Sequence, residues 1–283
     1  QTCLYPFLIS PMKKSLYFLV LCCIGIISFT QGQELFSYTE PASNMAAKTI
    51  GFRCNTSIMY DESEGSYNTH LLPELMLGIS KKWMIHLEGF ASDRDKNLTV
   101  EGASLYGKYR FYSNDEVHRH FRMAAFGRMS FNNSDVHQEA IDLNGHNSGF
   151  ELGCVATQLL HKVALSGSAS LLHAIDNANK IGYEFPDDRR EAVNVTFSAG
   201  KLLLPKDYKD YKQTNLNAMV ELLCQTNMHT GKTYADLGPV LQMIFLSKMR
   251  VDLSYRFALS NALYRSASNG FYVRLEYNVF NAF

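Results

Sequence analysis

The stretch that decides the fold is Ser268-Asn269-Gly270-Phe271-Tyr272-Val273-Arg274-Leu275-Glu276-Tyr277-Asn278-Val279-Phe280-Asn281-Ala282-Phe283. Taken two residues at a time, it separates into two faces. One carries Phe271, Val273, Leu275, Tyr277, Val279 and Phe283; the other carries Tyr272, Arg274, Glu276 and Asn278. A β-strand sends alternate side chains to opposite faces, so this pattern predicts a strand that is apolar on one side and charged on the other. It is longer than the roughly five or six residues of an ordinary globular strand. It suits the roughly 9–11 tilted residues with which a strand crosses a bilayer, where aromatic residues mark both interfaces.

Working outward, the same alternation recurs over 48–58, 70–79, 83–91, 98–112, 120–130, 149–160, 163–171, 192–201, 215–225, 234–246 and 249–260. The run 249–260 sets Met249, Val251, Leu253, Tyr255, Phe257 and Leu259 against Arg250, Asp252, Ser254, Arg256 and Ser260. Short connections at 80–82, 161–162 and 247–248 largely alternate with longer polar ones at 61–69, 92–97, 132–148, 176–191 and 261–268. Membrane barrels pair short turns at one end with longer loops at the other and have an even strand count. The predicted fold is therefore all-β, an antiparallel transmembrane β-barrel of about twelve strands over residues 45–283. One connection, 202–214 with Pro205, Lys206 and Lys209, is long where a short turn is expected. A soluble sandwich or lipocalin-like barrel also alternates. That reading would require about twelve apolar faces to fill one very wide interior, whereas faces turned to lipid need no filling.

A chain that ends on such a strand, with Phe283 as its last residue, resembles the outer-membrane β-barrels of Gram-negative bacteria. The resemblance implies the cell outer membrane as location, with its lipid and the barrel-assembly machinery as partners. It also implies Tyr277, Val279 and Phe283 as the signal read during assembly. The stretch Tyr38-Thr39-Glu40-Pro41-Ala42-Ser43-Asn44-Met45 is similar to the start of uncharacterised Bacteroidota barrels, which implies no activity.

The first part of the chain reads differently. Met12-Lys13-Lys14 opens a positive segment and 15–29 is a short apolar run, ending in Thr30-Gln31-Gly32. This reads as an over-read start followed by a secretory signal over 1–32, cut after Gly32. An uncleaved anchor helix is the alternative, and Leu21 before Cys22 is too bulky for a lipoprotein site. Residues 33–44, with Pro41, predict an irregular periplasmic lead-in. Removing 1–32 takes Lys13 and Lys14 from the 27 basic residues and leaves all 27 acids, a net charge of −2. Nothing in that balance points to nucleic acid. Cys54, Cys154 and Cys224 remain, all with apolar-face parity, and read as small hydrophobes rather than a disulfide framework.

Parity also assigns the charged face. It places Arg53, Glu74, Glu88, Lys108, Arg110, Arg122, Arg128, Glu151, Glu221, Asp236, Arg250, Asp252, Arg256, Arg274 and Glu276 in the lumen. Charges of both signs in a low-dielectric interior need water or each other. Two readings follow: a narrow porin-like channel for small polar solutes, or a plugged structural or adhesion barrel that acts through its outer loops. A lipolytic outer-membrane enzyme would need a Ser and a His; His173 and the stretch Gly145-His146-Asn147-Ser148-Gly149 are the candidates. An omptin-like acid cluster, Glu184 with Asp187 and Asp188, has no His beside it. His118, His120, Met228 and His229 could suggest copper but have no second ligand pair at metal spacing, and read as turn and girdle residues. No cofactor is expected.

Overall fold

A computed structural model describes residues 35–61, 65–94, 97–117, 119–136, 138–178, 189–206 and 213–283. The signal reading of 1–32 lies outside these residues, as do His118, Glu184, Asp187, Asp188 and Lys209.

Twelve strands are present: β1 Thr49–Asp61, β2 Ser66–Gly78, β3 Trp83–Ser92, β4 Thr99–Glu116, β5 Arg119–Asn132, β6 Ser148–Leu160, β7 Val163–Ile175, β8 Glu191–Leu204, β9 Asn215–Asn227, β10 Thr233–Phe245, β11 Met249–Asn261 and β12 Ala267–Val279. Each pairs antiparallel with its neighbours in sequence, and β12 closes on β1 to form a barrel with no free edge. The closing register runs from Ile50↔Val279 through Arg53↔Glu276 to Ile58↔Phe271. The final strand therefore pairs along almost its whole length.

The parity read from the sequence sets which side chains are exposed. Phe52, Leu87, Leu105, Leu152, Phe197, Leu253, Phe271 and Leu275 stand exposed on the outer face. Lys108, Glu221, Asp236 and Asp252 are wholly buried inside. This is the inverse of a water-soluble core. An apolar band turned to water would forfeit roughly 25 cal/mol for each Å² left unburied, a cost that vanishes when the band faces lipid. Tyr277 and Val279 belong to this outer face, and they and Phe283, beyond the strand end, are exposed. The three cysteines are free, and Cys154 is exposed.

Turns divide the barrel into two ends. The β10–β11 turn is tight, with Leu246 and Ser247 both at positive φ (52° and 55°). Two consecutive left-handed residues make the mirror-image turn that matches strand twist. Strand β8 runs three residues beyond the alternating stretch, with a register shift between Leu202 and Leu204, which leaves only 205–214 as the connection to β9. At the opposite end, 133–147 and 176–190 are long, whereas 62–65 and 228–232 are short because the strands around them extend past the alternating runs.

The sequence reading places 33–44 outside the barrel, and the structure corrects this for 35–44, which lie within it. Phe36 packs between Ala164, Met219 and Val240 on the inner face. The Ala42 N–H then donates to Thr157 Oγ1 at 2.9 Å on β6. Met45 joins Met76 and Met84, where the chain turns into β1. Residues 35–45 thus form a strap that enters beside β9–β11, crosses the lumen and leaves beside β2 and β3. Several inner-face glycines make room for it. A Cβ on Gly238 would come within 2.5 Å of the Tyr38 ring, and one on Gly78 would meet the Ala46 carbonyl oxygen at 2.1 Å.

Candidate functional site

The strap carries few charges, so its polar backbone must be satisfied by the wall. Glu221, on the inner face of β9, accepts the N–H groups of Ser37 (2.7 Å), Tyr38 (3.1 Å) and Thr39 (3.0 Å), and the Thr39 hydroxyl (2.8 Å). Arg274 on β12 donates to the carbonyls of Phe36 (3.2 Å) and Ser37 (2.5 Å). Arg250 donates to the Phe36 carbonyl at 2.6 Å, and Asp252 accepts the Ser37 hydroxyl at 2.5 Å. On the far wall Lys108 donates to the Pro41 carbonyl at 2.8 Å and lies 3.4 Å from Glu40.

The lumen charges form a connected network. Arg53 reaches Glu40 (2.8 Å) on the strap, Glu74 (3.1 Å) on β2 and Glu276 (3.1 Å) on β12. Glu74 also meets His86, and Arg250 bridges Asp252 (2.5 Å) and Glu276 (3.7 Å). Further along, Arg128 pairs with Glu88 at 2.7 Å and lies 3.9 Å from Glu151. Arg256 and Arg265 share the buried carboxylate of Asp236, and Arg265 lies 4.0 Å above the Tyr234 ring.

Two residues assigned to the lumen sit at its short-turn rim. Arg110 is at the short-turn rim, donating to the Lys81 carbonyl at 2.6 Å in the β2–β3 turn. Arg122, close to the same rim, binds Asp115 (3.1 Å) and the Ser43 hydroxyl (3.1 Å). The register shift in the β4–β5 pair between Arg110 and Tyr112 lets the strands continue past the barrel wall there.

The sequence predicts an outer polar loop at 132–148, of which the strands leave 133–147. It folds inward instead. Val136, Ile141 and Leu143 pack on the inner-face side chains Leu172, Ala174 and Ala192. The Ile141 backbone exchanges two hydrogen bonds with the Gln225 amide, both 2.8 Å. The N–H groups of Glu139 (3.0 Å) and Ala140 (3.1 Å) donate to the Tyr264 carbonyl, which joins this loop to 262–266. Between strap and loop lies a polar chamber of about 280 Å³, lined by Arg53, Glu74, Glu88, Arg128, Arg256 and Arg274 among others.

The sequence pointed to the wall of this chamber but not to Glu40, Arg94, Arg265 or the loop backbone. Glu40 falls in an irregular stretch, and Arg265 in a loop, where no periodicity assigns a direction. The unusual length of 133–147 was the one available signal.

Asp142 and His146 hold the loop tip in shape. His146 Nδ1 lies 3.1 Å from Asp142, the Asn144 N–H donates to Asp142 at 2.8 Å, and the His146 ring lies 4.8 Å from the His70 ring at a tilt of 32°. Partial burial favours the neutral acid, but His146 and the Asn144 N–H outweigh it and hold the Asp142 carboxyl below the ordinary carboxylate range. A carboxyl depressed in the fold contributes stability above its unfolded pKa of about 3.9, and that contribution fades only as pH falls through the lower folded value. The loop should therefore remain docked at pH 5. Asp142→Asn should loosen it at neutral pH by about 0.5–1 kcal/mol, a small figure because the carboxylate is 39 % exposed and screened. Faster limited proteolysis within 133–147 in the Asp142→Asn variant is the expected reading. Identical cleavage rates would show that the apolar contacts alone seat the loop.

The enzyme candidates do not assemble among the described residues. His173 faces outward against Phe150, with ring centroids 5.2 Å apart. The Ser148 hydroxyl is occupied by the Asn132 N–H (2.8 Å) and carbonyl (3.2 Å). His146 turns to Asp142 and His70. His120 is bound to Asp115 at 2.9 Å, and no group of metal-ligating residues occurs among the described positions.

Strand number, closure and an outward apolar band together define the class: a twelve-stranded antiparallel barrel of the kind found in outer-membrane barrel structures. The comparison with solved structures agrees. An outer membrane channel from Pseudomonas putida F1 aligns over 87% of this chain and 99% of its own, with a TM-score of 0.56 and 12% identity. The NanC porin aligns over 82% and 98%, with a TM-score of 0.47 and 10% identity. No family model and no curated protein matches the sequence.

Proposed function

We propose that this protein is an outer-membrane channel for small polar solutes, with a narrow porin-like lumen that its own strap closes in the conformation described. The observation that carries the reading is the chamber. A barrel serving only as a scaffold has no need for a polar space lined with charges of both signs, and filling it with side chains would be more stable. The neutral balance of the wall argues for weak selectivity by charge sign. A second reading is favoured by the strap and the inward loop, which occupy much of the interior: a plugged barrel acting through its outer loops. A Bacteroidota source rests on the resemblance of residues 38–45, and the assembly role of Tyr277, Val279 and Phe283 on that of the final strand.

Conductance of the refolded chain in a planar bilayer separates the two, with a heat-shift gel as the folding control. A channel closed by its strap should show a low, flickering current whose steps scale with salt. A folded barrel that stays silent at every voltage and salt concentration, with or without the strap, would overturn the channel reading in favour of the scaffold.

A further inference from the structure

The chamber wall is not evenly satisfied. Arg256 uses Nε (2.6 Å) and Nη2 (2.5 Å) on Asp236, a carboxylate that Arg265 also occupies. Among the described residues its Nη1 meets no protein acceptor, and its side chain is 23 % exposed. Arg94 donates through Nη1 to the Asp135 carbonyl at 3.3 Å, while its buried Nη2 has no partner among the described residues. Arg274 is held by a side-chain amide, a phenol and two carbonyls, with no carboxylate at ion-pair distance among the described residues. All three line the chamber. Most of the acids around it are engaged, while Glu151 accepts only the Ser170 hydroxyl at hydrogen-bond distance, with Arg128 3.9 Å away. Glu74 is held by Arg53 and His86, Glu88 by Arg128, and Asp142 by His146.

The charged donors left unused in this chamber are therefore guanidinium groups, although the formal charges balance. A guanidinium edge is matched by a carboxylate, which accepts two parallel N–H bonds. The rest of the lining is rich in small neutral donors and acceptors: Asn55, Ser57, Asn68, Asn194 and Thr196. Such groups suit hydroxyls better than hydrocarbon. A space of about 280 Å³ admits a molecule the size of a single sugar or smaller.

We propose that the chamber is a binding station for a small polyhydroxylated organic acid, its carboxylate on Arg256 and its hydroxyls on the neutral wall. This deepens the channel reading and rests on it for the route by which the acid arrives. The residues that frame the chamber at its outer side, Asp61, Asn144 and Ser266, place that route at the long-loop end.

Calorimetric titration of the refolded full chain in micelles tests the site with three probes of one skeleton: gluconate, sorbitol and glucamine. They differ only in carrying a carboxylate, a hydroxyl or an amine at one end. Gluconate should bind and the other two should not. Arg256→Met should weaken gluconate by about tenfold or more, the loss of one charge-assisted contact. Arg265 stays on Asp236 in that variant, so the wall keeps its shape, and the heat-shift gel verifies folding. Arg94→Met, at the other guanidinium with an unused nitrogen, provides a second variant should the first fail to fold. Equal binding of sorbitol, preference for glucamine, no binding of any probe, or gluconate binding indifferent to both substitutions would each overturn the proposal. Conductance of the same preparations keeps the two ideas apart. A conducting barrel that ignores gluconate loses the site and keeps the channel. A barrel that binds gluconate yet never conducts, even without its strap, loses the channel.

Discussion

Deleting residues 35–44 should turn a nearly closed barrel into a steady pore, with mean current rising by roughly an order of magnitude as water fills a lumen now occupied by chain. The strap contributes no strand. It is bound through side chains that belong to the wall, so its removal leaves all strand pairings intact. Glu221, Arg274 and Arg250 would lose backbone partners from 36–39. Water entering the lumen would replace those partners, which is why the barrel should still fold and pass the heat-shift control. Gly238→Val tests the same closure without shortening the chain. The added carbons would occupy the seat of the Tyr38 ring, which a Cβ alone already approaches to 2.5 Å. Displacing Tyr38 should give intermediate currents with frequent closures. If the deleted form folds and conducts no better than the intact chain, the wall ion pairs or the inward loop 133–147 close the lumen, and the strap is only a filler.

Arg53→Met should produce the largest loss of stability of any single substitution in the wall. The Arg53 side chain is 1% exposed and is the shared cation of Glu40, Glu74 and Glu276. Removing one member of a buried ionic cluster leaves its partners charged and desolvated, at a cost of about 3–5 kcal/mol. Glu74 retains His86 and Glu276 retains Arg250 at 3.7 Å, so the lower half of that range is expected. Urea unfolding in micelles, followed by gel mobility, reads the shift. Adding Glu74→Gln and Glu276→Gln to Arg53→Met should recover most of it, because the residual cost is that of unpaired charge and not of lost packing. A midpoint for Arg53→Met close to that of the parent would mean that water already solvates this cluster.

Much of the wall was legible because the strand period is two and both faces are chemically extreme. In β11, Arg250 and Asp252 alternate with Val251 and Leu253, and the structure buries the first pair while Leu253 stands exposed. The weaker middle strands were found by the same rule, as Ser170 and Ser198 inside against Leu171 and Phe197 outside show. Strand ends were less legible. In β8 the residues after Lys201 no longer alternate in polarity, yet the backbone continues to pair with β9 through a register shift as far as Leu204.

What the sequence determined by itself was the barrel: twelve alternating stretches, the direction of their charged faces and the alternation of turn lengths. Those are local properties, set by the geometry of one strand and the chemistry of neighbouring residues. What only the tertiary structure decided was how the lumen is occupied. The seat of Ser37 against Asp252, separated by 215 positions, and of Ile141 against Gln225 depends on which strands come face to face after closure. Irregular segments carry no period to reveal their direction. Their polar backbone groups must find partners, and here the partners are supplied by wall charges that the sequence could place on a face but not pair.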